Sequence, residues 1–361
     1  MDDIRERFAT LHEIVAAARS RLDRIAWDYL VGGSTTETTL QRNRFGFDGL
    51  AFRPRVLRNV ARVDIGGEVF GRPIAMPVAL APVGSLQSFD PGAIPAAAAA
   101  AQAANVPIIC SGIHPAALDD MAGGTSGPKV FQPYLSGNHP KLPLLVERAR
   151  ETGCDAFCLT VDSAHPGRRE RDLANRYAKP YAQGSGDRPD TLTWDDVKRY
   201  KDLTDLPLVL KGLATGEDAA IAADHGVDVV YVSNHGGRQL DHGRGAIEVL
   251  PEVVAAVAGR SRVWFDGGVS RGSDVVKARI LGADLVGIGR LYCYGLAAAG
   301  EAGVVRVLEL LAEEVQEVLA LLGATSFAQL DPSYLCAAPP VPWRGRDPAF
   351  PLLDPAGRNQ V

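Results

Sequence analysis

From Pro77 onward the chain alternates short apolar runs with longer amphipathic stretches. The runs are Val78–Pro82, Pro107–Ser111, Val130–Leu135, Ala156–Asp162, Pro207–Gly212, Val229–Asn234, Val263–Gly268 and Leu285–Arg290. Each has strand length and stops at glycine or a polar residue. Between them, Ala93–Ala104, His139–Thr152, Gly216–His225, Ile247–Ala258 and Gly272–Leu281 place apolar residues at helical spacing. Strands alternating with helices predict parallel pairing through crossovers, and eight such units predict an α/β fold of the (β/α)8 TIM-barrel type.

Residues 8–31 carry a helical stripe stopped by Gly32-Gly33, which predicts an N-terminal helical cap. Ser34 with Glu37 three residues later has the spacing of a capping box opening a second helix. Phe52–Arg55 and Val63–Phe70 suggest a short hairpin. The segment Ser163–Leu206 exceeds what one crossover helix needs, and its Gly-, Pro- and Asp-rich part, Ala174–Thr193, reads as a long loop after strand 4, a lid over the site. Gly303–Leu322 reads as a closing helix, and the proline-rich tail from Pro332 shows no periodicity. One domain over 1–361 is expected, with cap and hairpin in 1–75, barrel in 76–300, and closing helix and tail in 301–361.

Composition narrows the function. A formal net charge of −5, with no cluster of Lys and Arg, leaves no nucleic-acid footprint. The charged start, Met1-Asp2-Asp3, and the lack of a long unbroken apolar stretch argue against a secretory signal and a membrane span, so the reading is cytoplasmic. The 5 cysteines contain no CxxC pair, so neither a metal site nor disulfides are expected.

In a barrel the strand C-termini converge on one site. The residues that would meet there are Pro82-Val83-Gly84, Ser111, Gln132, Tyr134, Thr160, Asp162, Arg169, Lys211, Ser233, His235, Arg238, Asp266-Gly267-Gly268 and Gly289-Arg290. So many polar groups suit a pocket for a polar cofactor and an anionic substrate. In Ser233-Asn234-His235-Gly236-Gly237-Arg238-Gln239-Leu240-Asp241, His235 has the chemistry to take a proton and Arg238 to hold an anion. Taken alone, the stretch equally allows a loop histidine satisfied by backbone groups and a surface arginine. The glycines ending strands seven and eight, with Arg290, mark a phosphate site, and the absence of GxGxxG after a first strand disfavours a Rossmann-bound nicotinamide.

That stretch resembles the signature of the FMN-dependent α-hydroxy acid oxidases and dehydrogenases, the glycolate oxidase, lactate oxidase and mandelate dehydrogenase family, and the similarity runs from about Ile25 to about Leu322. The resemblance implies FMN lined by Pro82, Val83, Gly84, Ser111, Gln132 and Thr160, with Lys211 near the N1 and O2 edge, Ser233 adding a contact, and Asp266, Gly267, Gly268, Val269, Gly289 and Arg290 on ribityl and phosphate. It implies that Arg169 and Arg238 clamp a 2-hydroxy acid carboxylate, that His235 takes the hydroxyl proton with Asp162 behind it, and that Tyr134 bonds the substrate oxygen. Trp27 and Ile113 fall at substrate-facing positions. Trp27 replaces the family's tyrosine and, with Ile113, leans towards larger, apolar substrates, while Ser270 stands where the family usually puts an arginine towards the phosphate. The expected partners are a small 2-hydroxy acid and O2 or another electron acceptor, and the family assembles as a homo-oligomer, usually a tetramer. The alternatives are a relative redirected to a peptide-derived substrate and an FMN barrel isomerase.

Overall fold

The computed structural model describes residues 4–114, 116–178, 189–339 and 349–353. Strands β1 (Val78–Leu80), β2 (Ile108–Ser111), β3 (Lys129–Gln132), β4 (Ala156–Thr160), β5 (Leu208–Leu213), β6 (Val229–Val232), β7 (Arg262–Phe265) and β8 (Leu285–Ile288) close a barrel in sequence order. All pairs are parallel. This is the expected (β/α)8 barrel.

Side chains alternate across a strand, so every second residue faces the barrel axis. Ala79, Ile109, Val130, Ala156, Cys158, Val209, Val229, Tyr231, Trp264 and Leu285 form one buried apolar cluster. Two residues further along the same strands the series turns polar: Ser111, Gln132, Thr160, Lys211, Ser233 and Asp266, all buried. The apolar layers therefore fill one end of the barrel, and the chemistry collects at the other. Val69 and Ile74 of an antiparallel hairpin, Gly67–Val69 with Arg72–Ile74, belong to that apolar cluster and plug its end, with Phe70 lying 5.6 Å from Trp264.

Helices α1 (Leu11–Arg21), α2 (Arg24–Val31) and α3 (Thr38–Asp48) precede the barrel. The crossovers carry α4 (Ala93–Ala103), α5 (Ala117–Gly124), α6 (Leu142–Glu151), α7 (Glu170–Ala174), α8 (Trp194–Leu203), α9 (Gly216–Asp224), α10 (Ala246–Val257) and α11 (Gly272–Ile280). The last segment, α12 (Arg290–Leu321), bends at Ala299 and Gly300, where φ reaches −160° and 59°. The expected closing helix is its second limb.

Several local expectations need correction. The stripe over residues 8–31 is two helices, because Asp23 accepts the Ala26 amide at 2.7 Å and starts a new one. Ser34 is not a cap. It is buried, its amide donates to the Gly237 carbonyl at 2.9 Å, and Glu37 in the left-handed region precedes α3. The hairpin starts at Gly67 rather than Phe52, since Leu50–Phe52 instead pairs antiparallel with Leu335–Ala337 of the tail. The long segment after β4 contains α7 and α8, the latter opened by a Thr193–Asp196 capping box. Of the lid predicted over Ala174–Thr193, residues 179–188 lie outside the described residues. Among the described residues, no helix is long and apolar enough to cross a membrane, and no cluster of metal-ligating side chains occurs.

Candidate active site

A cavity of about 880 Å³ opens at the polar end of the barrel. Its wall includes Pro82, Val83, Gly84, Ile113, Tyr134, Arg169, Lys211, His235, Arg238, Asp266 to Val269, Gly289, Arg290 and Trp27. Ser111, Gln132, Thr160, Asp162 and Ser233 are not part of that wall.

His235 directly follows the turn out of β6 and has φ of +57°, with Gly236 and Gly237 also at positive φ. A non-glycine residue in the left-handed region stores strain and is held there by its surroundings. Its Nδ1 lies 3.0 and 3.3 Å from the two Asp162 carboxylate oxygens. A carboxylate can only accept, so Nδ1 carries the proton and Nε2 is the free acceptor. Asp162 comes this close because Gly212, at φ +111° in a bulge of β5, has no side chain; a Cβ there would stand 2.7 Å from the Asp162 Cβ. Burial pushes the His235 imidazole below its ordinary 6.5, against the raising pull of Asp162. For Asp162 burial works upward, but the charge and hydrogen bond of His235 together with Lys211 and Ser163 outweigh it and the carboxyl ends below its usual value. Gln239 donates to the carbonyls of Asp162 and His165 at 2.9 and 3.1 Å and ties the two loops together.

Gly237 is the tightest point of this loop. It has φ of +75°, and a Cβ would meet the Leu40 amide nitrogen at 2.6 Å. Gly237→Ala is expected to push the loop off α3, costing on the order of 1–3 kcal/mol from the backbone conformation alone; a Tm equal to that of the parent would contradict this.

Opposite the histidine lies a buried charge cluster. Lys211 Nζ donates to Ser233 Oγ at 2.8 Å, Ser233 Oγ donates to Asp266 Oδ1 at 2.6 Å, and the ammonium is 3.3 Å from Asp266 Oδ2. Burial disfavours the ammonium, but Asp266 and Asp162 outweigh it and hold Lys211 protonated. Around the cluster, Ser111 Oγ, Gln132 Oε1 and Thr160 Oγ1 are buried with no hydrogen-bond partner. Orphaned polar atoms at three neighbouring strand ends, beside a buried cation, fit a planar polar heterocycle such as a flavin ring.

The phosphate end differs from the expectation in detail. Arg290 donates to the carbonyls of Leu30, Gly236 and Gly32 at 3.1, 3.0 and 2.8 Å, which joins the cap to the barrel and leaves N–H groups of both terminal nitrogens for an anion. Ser270 lines the cavity. Its neighbour Arg271 instead bonds Glu314 at 3.2 Å, so Arg271 does not take the place of the side chain that Ser270 lacks.

Two further cations face the cavity. Arg238 Nη1 donates to the Tyr29 and Gly32 carbonyls at 2.7 and 2.8 Å, and its guanidinium lies 4.9 Å from the Tyr29 ring centroid. Burial, and next the Arg169 charge, push its pKa down to about 9, so a bound anion would relieve the site. Arg169 Nε is buried without a partner. Tyr134 keeps its proton, since burial pushes the phenol up to about 12. Trp27 packs 5.8 Å from Tyr294, under the Arg19 guanidinium at 5.1 Å, and stands in the outer wall. Ile113 reaches towards Gly84, where a Cβ would meet its Cδ1 at 2.7 Å.

His114, His165 and His242 do not line the cavity; among the described residues His235 is the one histidine that does. His165 Nδ1 faces the Pro166 carbonyl and His242 Nε2 the Thr36 hydroxyl. His12 is buried against Phe350 at 5.7 Å. Sequence reasoning did not find Tyr29, Glu37 or Arg171, whose partners lie far away along the chain.

A barrel whose polar mouth combines a histidine–carboxylate pair, a buried lysine and paired arginines defines a flavin-dependent oxidoreductase acting on an anionic alcohol. The profile of the FMN-dependent dehydrogenases matches residues 18–188 and 182–337, and the chain belongs to that family. It is 38% identical over 349 residues to glycolate oxidase 1 of Oryza sativa subsp. indica, covering 90% of this chain and 94% of that protein. To the L-lactate oxidase of a Nostoc species it is 37% identical over 355 residues, covering 90% and 97%. A solved mandelate oxidase structure superposes with a TM-score of 0.86 at 38% identity, covering 92% of this chain and 99% of that one. The protein is therefore an FMN-dependent oxidoreductase of the CH–OH group that oxidises 2-hydroxy acids. These relatives support neither an isomerase nor a redirected substrate.

Proposed function

We propose that the chain converts a 2-hydroxy acid to a 2-oxo acid with His235 as the base, and the observation that carries this is the Asp162–His235 pair with Nε2 left as acceptor beside two arginines. A carboxylate bound by Arg169 and Arg238 places the neighbouring hydroxyl within the same cavity. His235 Nε2 takes the hydroxyl proton, and the Asp162 carboxylate stabilises the imidazolium that results. The Tyr134 phenol, held protonated, donates to the substrate oxygen. FMN, when bound, supplies the acceptor for the electron pair and hydrogen lost from the α-carbon. Lys211, Ser111, Gln132, Thr160, Ser233, Pro82, Val83 and Gly84 would hold its ring. Asp266, Gly267, Gly268, Val269, Gly289 and Arg290 hold its ribityl and phosphate end. Trp27 and Ile113 shape the space for the substrate side chain and favour larger, apolar acids. Oxygen or another acceptor takes the electrons afterwards, and the working form is a homo-oligomer.

The test is a panel of aliphatic and aromatic 2-hydroxy acids mixed anaerobically with the yellow holoenzyme. Bleaching by at least one of them is expected, and peroxide formation on admitting air distinguishes oxidase from dehydrogenase. No bleaching by any member rejects the proposal. The pH profile has a defined sign. His235 must be neutral to act, so kcat/KM should rise with pH through an apparent pKa below 6.5 and level off above it. The same depression means that the unfolded chain takes this proton first. Stability is then present above 6.5 and lost as pH falls towards the folded value.

A further inference from the structure

We propose that Arg171, paired with Glu37, is a positioning residue that sets the two substrate-binding arginines, Arg169 and Arg238, at their working separation. The inference rests on the reading that those two arginines bind the substrate carboxylate.

Helix α7 needs an external support. It is five residues long and contains no buried residue, and a single helical turn is unstable by itself because nucleation fixes several dihedrals for one hydrogen bond. Arg169 immediately precedes it. What anchors the turn is polar and comes from the N-terminal cap. Arg171 Nε and Nη2 donate to the two Glu37 carboxylate oxygens, each at 2.7 Å, and Nη1 donates to Asp28 at 3.3 Å. Asn175 at the end of the turn donates to the other Asp28 oxygen at 2.8 Å. The Thr35 amide donates to the Arg168 carbonyl at 2.8 Å.

The same carboxylate controls the other arginine. Glu37 also accepts the Gly33 amide at 3.0 Å. One residue back, the Gly32 carbonyl accepts from Arg238 and from Arg290, both at 2.8 Å. Glu37 thus fixes the turn that Arg238 leans on, while through Arg171 it fixes the turn that carries Arg169. The fit is close: a Cβ on Gly32 would meet Arg171 Cδ at 3.1 Å. Burial raises the Glu37 carboxyl, but the bond from Arg171 and the Gly33 amide bring it below its usual value, so the pair stays charged.

An exposed ion pair adds little to stability. This one is bidentate and partly buried, with the Glu37 side chain 20% exposed and that of Arg171 41%. Its effect belongs to affinity, since it orients groups that hold the carboxylate and touches none that moves a proton.

The experiment uses FMN-loaded enzyme and four variants, Arg171→Met, Glu37→Gln, Arg171→Lys and Arg169→Met. Substrate KM, kcat and the Kd of a 2-oxo acid, read from the flavin spectrum, are measured for each. Arg171→Met and Glu37→Gln should each raise KM and Kd by about tenfold, with kcat within about threefold of the parent and Tm nearly unchanged. Arg171→Lys, which keeps the charge and loses the fork, should fall between. Near-parental KM in Arg171→Met and Glu37→Gln, with binding lost in Arg169→Met, overturns the positioning role alone. Parental affinity in Arg169→Met overturns the underlying reading of the clamp, and this proposal with it. Should Arg171→Met fail to fold, the near-isosteric Glu37→Gln decides, and an unchanged KM there rejects the role.

Discussion

His235→Ala should lower the rate of anaerobic flavin reduction by about 10²–10⁴-fold, the contribution of a positioned general base. The size follows from geometry. The imidazole contacts Asp162 on one side and the cavity on the other, and among the described residues no second histidine lines that wall. Lys211 cannot substitute, because its neighbours Asp266 and Asp162 keep it protonated. Tyr134, with a pKa of about 12, keeps its proton too. The variant should remain yellow, since most groups assigned to the flavin lie on other strands and alanine keeps the backbone amide that donates to Ser233 Oγ at 3.1 Å. Loss of reduction together with loss of flavin would point to a folding defect, whereas near-normal reduction would remove His235 from the mechanism.

Lys211→Met should have the largest effect on stability. The ammonium is 3% exposed and its partner Asp266 10%, measured over side chains. Removing one partner of such a pair leaves a buried charge uncompensated, at a cost of about 3–5 kcal/mol. Ser233, which bridges the two, would lose the bond it receives from the ammonium. A fall in Tm and a weakened hold on FMN are expected together, checked by thermal unfolding and by flavin released on gel filtration. A variant as stable and as yellow as the parent would show that the lysine carries neither role.

The barrel was legible because its information is local and repeated. A strand such as Val229–Val232 announces itself by apolar residues, and the polar residues after it announce where it ends. The strand ends also placed Thr160, Lys211, Ser233 and Asp266 together, since parallel strands closed into a barrel all finish on one face. Other features were illegible because they depend on contacts across hundreds of residues. Ser34 has the composition of a cap, but the Gly237 carbonyl claims its amide. Leu335–Ala337 is too short and too irregularly flanked to read as a strand until Leu50–Phe52 supplies its partner. Arg171 looks like any surface arginine until Glu37 is seen beneath it. Arg290 was correctly placed at the mouth, while its bonds to the cap carbonyls could not be read from the barrel pattern.

The pairing of Leu50–Phe52 with Leu335–Ala337 bears on how the molecule is made. Synthesis runs from the N-terminus, so the cap emerges well before its partners. Trp27 rests on Tyr294, the Leu30 carbonyl waits for Arg290, and the first strand waits for the tail. Contacts this distant in sequence form late, after the loop between them has been closed. The cap thus stays without the surfaces it will cover until residues 290–337 have been made, and the cavity gains its outer wall only then. Binding of substrate and flavin is in this way tied to the arrival of that later segment.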